Sequence, residues 1–221
     1  MFHLAADSFQ AEKIIYDHLA QNTRYGSSPD IEEANYNIIG PLLYGSAVCE
    51  GYAKAFKYLC DAIKLPCIVV SGSAINPQEN NEPHSWNIVR VNGDYYHTDV
   101  TWDSILSNDE ENEYDYFNLT DEEMKNDHSW NTRLLPKCDT NFTKIAYVAK
   151  KIELVNLVLD SINQNRMYLS VRFKIPPPNE GSIINTVSKI IDKAPIALQR
   201  KVSAIEVRYN KAQNKAVIHF K

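Results

Sequence analysis

The dipeptide Asn92-Gly93 constrains this chain more than any other pair of residues. Asn and Gly are the residues that most readily take positive φ, which a two-residue type I′ hairpin loop needs at both central positions. Residues 84–91 and 94–101 flank it, so an antiparallel strand pair is expected, with Val91 opposite Asp94. Counting outward sets Ile88 opposite His97, Trp86 opposite Asp99 and His84 opposite Thr101. Directly opposed residues share a face, so all of His84, Trp86, His97, Asp99 and Thr101 are expected on one side. His84 and Asp99 are then diagonal neighbours, about 7–8 Å apart between backbone positions, which imidazole and carboxylate side chains can bridge. A three-residue loop would place them on opposite faces.

Upstream, Cys49, Ala53, Phe56, Leu59 or Cys60, and Ile63 recur every three or four residues, the stripe of a helix. It ends before Pro66, which disfavours helical geometry at Leu65. The β-branched run 67–73 follows as a strand. Cys49 thus stands in the first helical turn, where unpaired N–H groups and the helix dipole favour a thiolate. The same donors, the N–H of Cys49 among them, suit an oxyanion. Gly51 is read as opening space beside the sulfur for a substrate backbone. On spacing alone Cys49 is either this nucleophile or an inert buried thiol. His97 is a spare base or, preferably, a packed core histidine. Trp86 and Trp102 either fill the core or wall the site. His3, His18 and His128 have no supporting context.

Residues 7–22 read as a helix capped by Asp7 or Ser8. Ser27-Ser28-Pro29-Asp30 is a turn signal, and Gly40-Pro41 and Gly45 bracket a short loop before Cys49. The acidic stretch 108–127 reads as a solvated loop and helix face, with Thr120 and Glu123 forming a capping box. Past Pro136 the pattern changes. Helices are expected over 152–163 and 182–193, strands over 167–174, 203–209 and 215–220, and a stiff break at Pro176–Asn179. This makes a small α+β unit, and the expected division is a domain over 1–145 and a second over 151–221.

Charge supports two different surfaces. Residues 1–150 carry 11 Lys and Arg against 23 Asp and Glu, whereas residues 151–221 carry 12 against 5. The basic unit either docks on an acidic partner unit or meets an anionic surface or polymer. Its basic residues are not interleaved with aromatics, which argues against nucleic acid. The four cysteines lack zinc spacing, so no metal is expected, and Cys60 and Cys67 read as buried thiols. A hydrophobic content of 44% supports a sizeable core, yet no apolar run reaches the roughly 18 residues of a membrane helix. No signal peptide is visible, which points to the cytoplasm unless the N-terminus was trimmed.

A cysteine, a histidine and an aspartate in this order are the parts of a thiol acyl-transfer enzyme. Ala47-Val48-Cys49-Glu50-Gly51-Tyr52-Ala53, His84-Ser85-Trp86-Asn87 and Asp99-Val100-Thr101-Trp102-Asp103 resemble the three motifs of the bacterial transglutaminase-like, papain-related superfamily. Gly40 to Gly45 and Tyr116 to Thr120 extend the resemblance, which covers residues 10–140 or so. It implies an α+β cysteine-protease-like core, a nucleophile helix packed on an antiparallel sheet, with the C-terminal α+β unit outside it. It further implies Cys49 as nucleophile, His84 as base and Asp99 as orienter, with no cofactor, acting on peptide or protein amides. Hydrolysis is favoured over cross-linking. Tyr44 is a candidate auxiliary oxyanion donor. The rival reading is a non-catalytic peptide-binding or scaffolding module that keeps the fold.

Overall fold

The computed structural model describes residues 8–26, 29–75, 80–106, 114–142 and 146–221. Asp7 and the Ser27-Ser28 half of the expected turn lie outside them. The chain divides into two compact units, Met1–Thr143 and Lys144–Lys221.

In the first unit α1 (Ser8–Asn22) is followed by β1 (Arg24–Tyr25), a 3₁₀ segment (Pro29–Tyr36) and β2 (Ser46–Ala47). The stretch read as a loop before Cys49 is instead a π-helical turn, Gly40–Tyr44. Pro41 near its start has no N–H to leave unpaired, and Gly45, at φ +62°, closes it by donating to the Gly40 carbonyl. β1 and β2 pair in parallel, Tyr25 beside Ala47, which brings Tyr25 to the entrance of the next helix. That helix, α2, spans Cys49–Ala62.

A four-stranded antiparallel sheet follows, ordered β5-β4-β3-β6: β3 is Cys67–Ile75, β4 Asn81–Val91, β5 Asp94–Thr98 and β6 His128–Trp130. Asn92 and Gly93 have φ of +50° and +102°, and Val91 pairs with Asp94, Ile88 with His97 and Asn87 with Thr98. The expected register is therefore met up to Thr98. Beyond it the strand stops, so the expected Trp86–Asp99 and His84–Thr101 pairs do not form. Helix α3 (Val100–Leu106) begins there because Asp99 Oδ1 accepts the N–H groups of Thr101 and Trp102, capping the turn.

Both sheet faces are covered. Tyr52, Ala55, Phe56 and Cys60 of α2 meet Val89, Val91, Tyr96 and the α1 residues Tyr16 and Leu19 on one side. Val70, Trp86 and Ile88 meet Trp102, Tyr116, Met124 and Cys138 on the other. The two clusters make β4 a central strand buried on both faces. Asn87 ties α2 to it by donating to the Ala53 carbonyl at 3.0 Å. Thr120 and Glu123 form the expected capping box at α4 (Asp121–Met124).

The second unit has a sheet ordered β7-β8-β10-β9: β7 is Ala146–Val148, β8 Tyr168–Phe173, β9 Ile205–Asn210 and β10 Lys215–Phe220. Its helices are α5 (Lys151–Asn163), α6 (Glu180–Asp192) and the short α7 (Ile196–Gln199), which the sequence pattern did not reveal. Leu154, Val158, Ile183 and Val187 pack on Val171, Val207, Ala216 and Ile218. After the proline run Asn179 caps α6, accepting from the Ser182 N–H at 2.9 Å. Among the described residues, no helix is long and apolar enough to cross a membrane.

Candidate active site

Cys49 is the first residue of α2 and is half-buried. The residue before it, Val48, is extended and offers no side-chain cap, so no side chain of Val48 occupies the N–H groups of the first turn. His84 projects from β4 and is buried. Its Nε2 donates to Asp99 Oδ2 at 2.7 Å, and Cys49 lies close enough to the ring to add to the forces that favour its charged form. With Nε2 held by Asp99, Nδ1 is the nitrogen left for the sulfur. The three residues that the sequence singled out are thus brought together.

The electrostatics follow from this packing. Burial disfavours the imidazolium of His84, but the Asp99 charge and hydrogen bond, with help from Cys49, raise it to about 10. Burial would raise the Asp99 carboxyl, yet the His84 charge and the bonds from His128 and His84 hold it well below the usual carboxylate range. Asp99 therefore stays ionised with both oxygens occupied: Oδ1 takes two backbone N–H groups, and Oδ2 takes His84 at 2.7 Å and His128 Nε2 at 3.2 Å.

The other candidates separate. Trp86 stacks against His84 with ring centroids 6.0 Å apart, and Trp102 meets it edge-on at 5.9 Å. Both are buried, so they wall the histidine from the interior rather than offer a substrate surface. Gly51 does not open space beside the sulfur. It is buried, and a Cβ there would lie 2.3 Å from the Asn35 carbonyl oxygen and 2.9 Å from Ala47 Cβ. The glycine lets α2 pack against the 3₁₀ segment. Tyr44 is 58% exposed on the π-helical turn. Tyr25, beside Ala47 on β1, is 51% exposed; partial burial, and then the charges of Cys49, Glu82 and Asp99, raise its hydroxyl. His128, whose Nε2 bonds Asp99, was not visible as a site residue in the sequence.

Among the described residues, two clusters have donors close enough for a metal ion: His84, Asp99 and His128, and His97, Asp121 and Cys138, each with donor atoms within 4.8 Å of one another. In the second, Trp86 Nε1, which only donates, bonds His97 Nδ1 at 2.9 Å. The imidazole proton therefore sits on Nε2 and points at Asp121 Oδ1, 2.9 Å away, so no lone pair faces the cluster. His97 is the packed, hydrogen-bonded core histidine, and burial lowers its pKa. In the first cluster both facing nitrogens already serve Asp99, and an ion would have to break the bond that orients His84.

A helix-borne thiol beside an imidazole oriented by a buried carboxylate is the arrangement of a thiol acyl-transfer centre. Residues 3–100 match the family model described as the transglutaminase-like superfamily, a segment that contains Cys49 and His84 and ends one residue past Asp99. Over that segment, which is less than half of the chain, the sequence is similar to that superfamily. Two solved structures are similar in part. One, from Cytophaga hutchinsonii, is named a "Putative Cysteine Protease"; it is 21% identical over 42% of this chain and 30% of that one, with a TM-score of 0.32. The other, named a "TGase", is 15% identical over 43% of this chain and 31% of that one, with a TM-score of 0.33. The chain thus spans less than a third of the length of these structures. No curated protein matches it significantly.

Proposed function

We propose that this chain is a thiol enzyme acting on amide bonds of peptides or proteins, with Cys49 as nucleophile, His84 as acid and base, and Asp99 as orienter. The observation that supports this best is the single imidazole of His84, hydrogen-bonded to Asp99 at 2.7 Å and within electrostatic reach of Cys49. The Cys49 sulfur attacks the carbonyl carbon, forming a C–S bond and placing negative charge on the oxygen. The N–H groups at the start of α2 are the natural donors to that oxygen. As the C–N bond breaks, the His84 Nδ1 proton passes to the departing amine, leaving a thioester. Water then attacks the thioester carbonyl as the neutral His84 takes its proton; the C–S bond breaks, the acid is released and Cys49 returns as the thiolate. Cys49 is not fully buried, so water can reach the thioester, and on that ground hydrolysis is proposed over transfer to a second amine.

Rapid stoichiometric labelling of Cys49 by iodoacetamide at neutral pH, abolished in His84→Ala, is the expected result. A peptide-library screen should show cleavage by the intact chain and none by Cys49→Ala. Labelling no faster than that of an ordinary thiol would turn the assignment toward a peptide-binding module. The basic Lys144–Lys221 unit is proposed to meet an anionic surface, in which case binding of the full chain to anionic vesicles should weaken with salt.

A further inference from the structure

His128 has no part in the three motifs, yet its ring lies 5.4 Å from that of His84 and shares the same carboxylate oxygen of Asp99. It is buried at the start of β6, where Ala74 of β3 is its strand partner. Its Nε2 bonds Asp99 Oδ2 at 3.2 Å, and its Nδ1 bonds Asp127 Oδ1 at 2.6 Å. Asp127 Oδ2 in turn accepts the Tyr116 hydroxyl at 2.6 Å. Ionised carboxylates only accept, so a histidine between two of them donates from both nitrogens and carries a positive charge.

We propose that His128 is a positioning residue of this site: a buried imidazolium, held by Asp127, that shares the Asp99 carboxylate with His84 and sets the charge that the catalytic imidazole faces. The inference rests on Cys49, His84 and Asp99 acting as proposed. A histidine bonded to Asp99 alone would hold its proton too firmly to give it to a leaving amine. The second cation on the same oxygen offsets part of that hold while keeping Asp99 ionised and fixed. Around His128 stand Asp127 in the turn before its strand, Asp99 before α3, His84 on β4, His97 on β5 and Tyr116. His97 keeps its single proton on Nε2 for Asp121, so it adds no second charge. Trp86 and Trp102 close the remaining sides at 5.0 and 5.6 Å.

The test is nitrogen-15 NMR of the histidine-labelled full chain. Both ring nitrogens of His128 should be protonated at pH 7, and a bare nitrogen there overturns the proposal. In His128→Gln, which keeps an amide donor to Asp99 but removes the charge, the His84 titration should move up by about one pH unit. Asp127→Asn should move it the same way, by letting His128 lose its proton. A purely structural role for His128 predicts no such movement, and an unchanged His84 titration in the folded variants also overturns the proposal. Should the variants fail to fold, the parent spectrum alone decides. Cys49 labelling in parent and His84→Ala reports separately on the enzyme reading: slow labelling beside a doubly protonated His128 sinks that reading and leaves the charge assignment standing.

Discussion

The side-chain amide of Asn118 donates to Glu12 Oε2 at 2.8 Å, in a core that hides both residues from solvent. Thr98 completes the group, its hydroxyl 3.1 Å from Glu12 Oε1 and 3.3 Å from Asn118 Oδ1. One hydroxyl proton cannot serve both oxygens. If Glu12 is protonated the ring closes: Glu12 donates to Thr98, Thr98 to Asn118, and Asn118 back to Glu12. Burial pushes the same way, raising Glu12 from 4.5 to about 8 against the Asn118 and Thr98 bonds.

A raised folded value means a contribution fully present below 4.5 and lost as the pH rises through about 8. Glu12→Gln reproduces the protonated ring without a titrating group. It should exceed the parent in stability at pH 8 by a few kcal/mol, about 1.4 per unit across that window, and lose the advantage at pH 4. Urea denaturation at both values checks this, and a stability difference that does not change with pH refutes it.

Asp103, in the third motif, anchors the segment after α3 rather than the reaction. Its Oδ1 accepts the Asp115 N–H at 3.0 Å and the Tyr116 N–H at 3.2 Å, and its Oδ2 accepts the Tyr16 hydroxyl of α1. Asp103→Ala leaves several buried donors unanswered, at about 1–3 kcal/mol each. The expected loss is about 3 kcal/mol or more, read by urea denaturation. Asp103→Asn, which keeps an acceptor for the backbone donors, should lose clearly less.

These residues also show where the sequence was readable. Asn92-Gly93 specifies register locally, and Cys49 lies on a helical stripe, so two of the three site residues could be placed from neighbours in the chain. Asp99 was placed near His84 but in the wrong element, since alternation runs past Thr98 while the Asp99 carboxylate itself starts a helix. Gly51 was misread because its partner, the Asn35 carbonyl, lies on a 3₁₀ segment without apolar period. His128 belongs to a three-residue strand paired with β3 across more than fifty residues, too short for a periodic signal and too distant for a local one.

Gly72 is the crossing point of that pairing, opposite His84 on β4 and Trp130 on β6. A Cβ there would lie 2.2 Å from the Ser129 carbonyl oxygen and 2.8 Å from Trp86 Cη2. The Trp86 ring that supports His84 lies directly over the missing side chain. Gly72→Ala should push both Trp86 and the strand bearing His128, costing about 1–3 kcal/mol as overpacking. It should also slow iodoacetamide labelling of Cys49, although the substitution touches none of the three proposed catalytic side chains. Unchanged labelling with unchanged stability would show that the sheet absorbs the methyl group.

Asp99→Asn tests the orienting bond through the tautomer it enforces. Oδ1 is fixed by the Thr101 and Trp102 N–H groups, so the new amide nitrogen must take the place of Oδ2 and point its hydrogens at His84 and His128. His84 Nε2 then has to accept, its proton moves to Nδ1, and at neutral pH the ring is no longer charged beside the sulfur. Turnover on any cleaved peptide should fall by on the order of 10³-fold or more, as a wrong tautomer does elsewhere. Stability should fall by about 3–5 kcal/mol, since a buried ion pair loses one partner. The pH dependence has two limbs. In the parent, the raised His84 contributes fully below 6.5 and is lost as the pH rises through about 10, while the depressed Asp99 contributes above 3.8 and is lost as the pH falls below it. The variant should lack both limbs, so denaturation profiles of parent and variant should diverge most between pH 4 and 6.5, and profiles that run parallel throughout would remove Asp99 from the charge network.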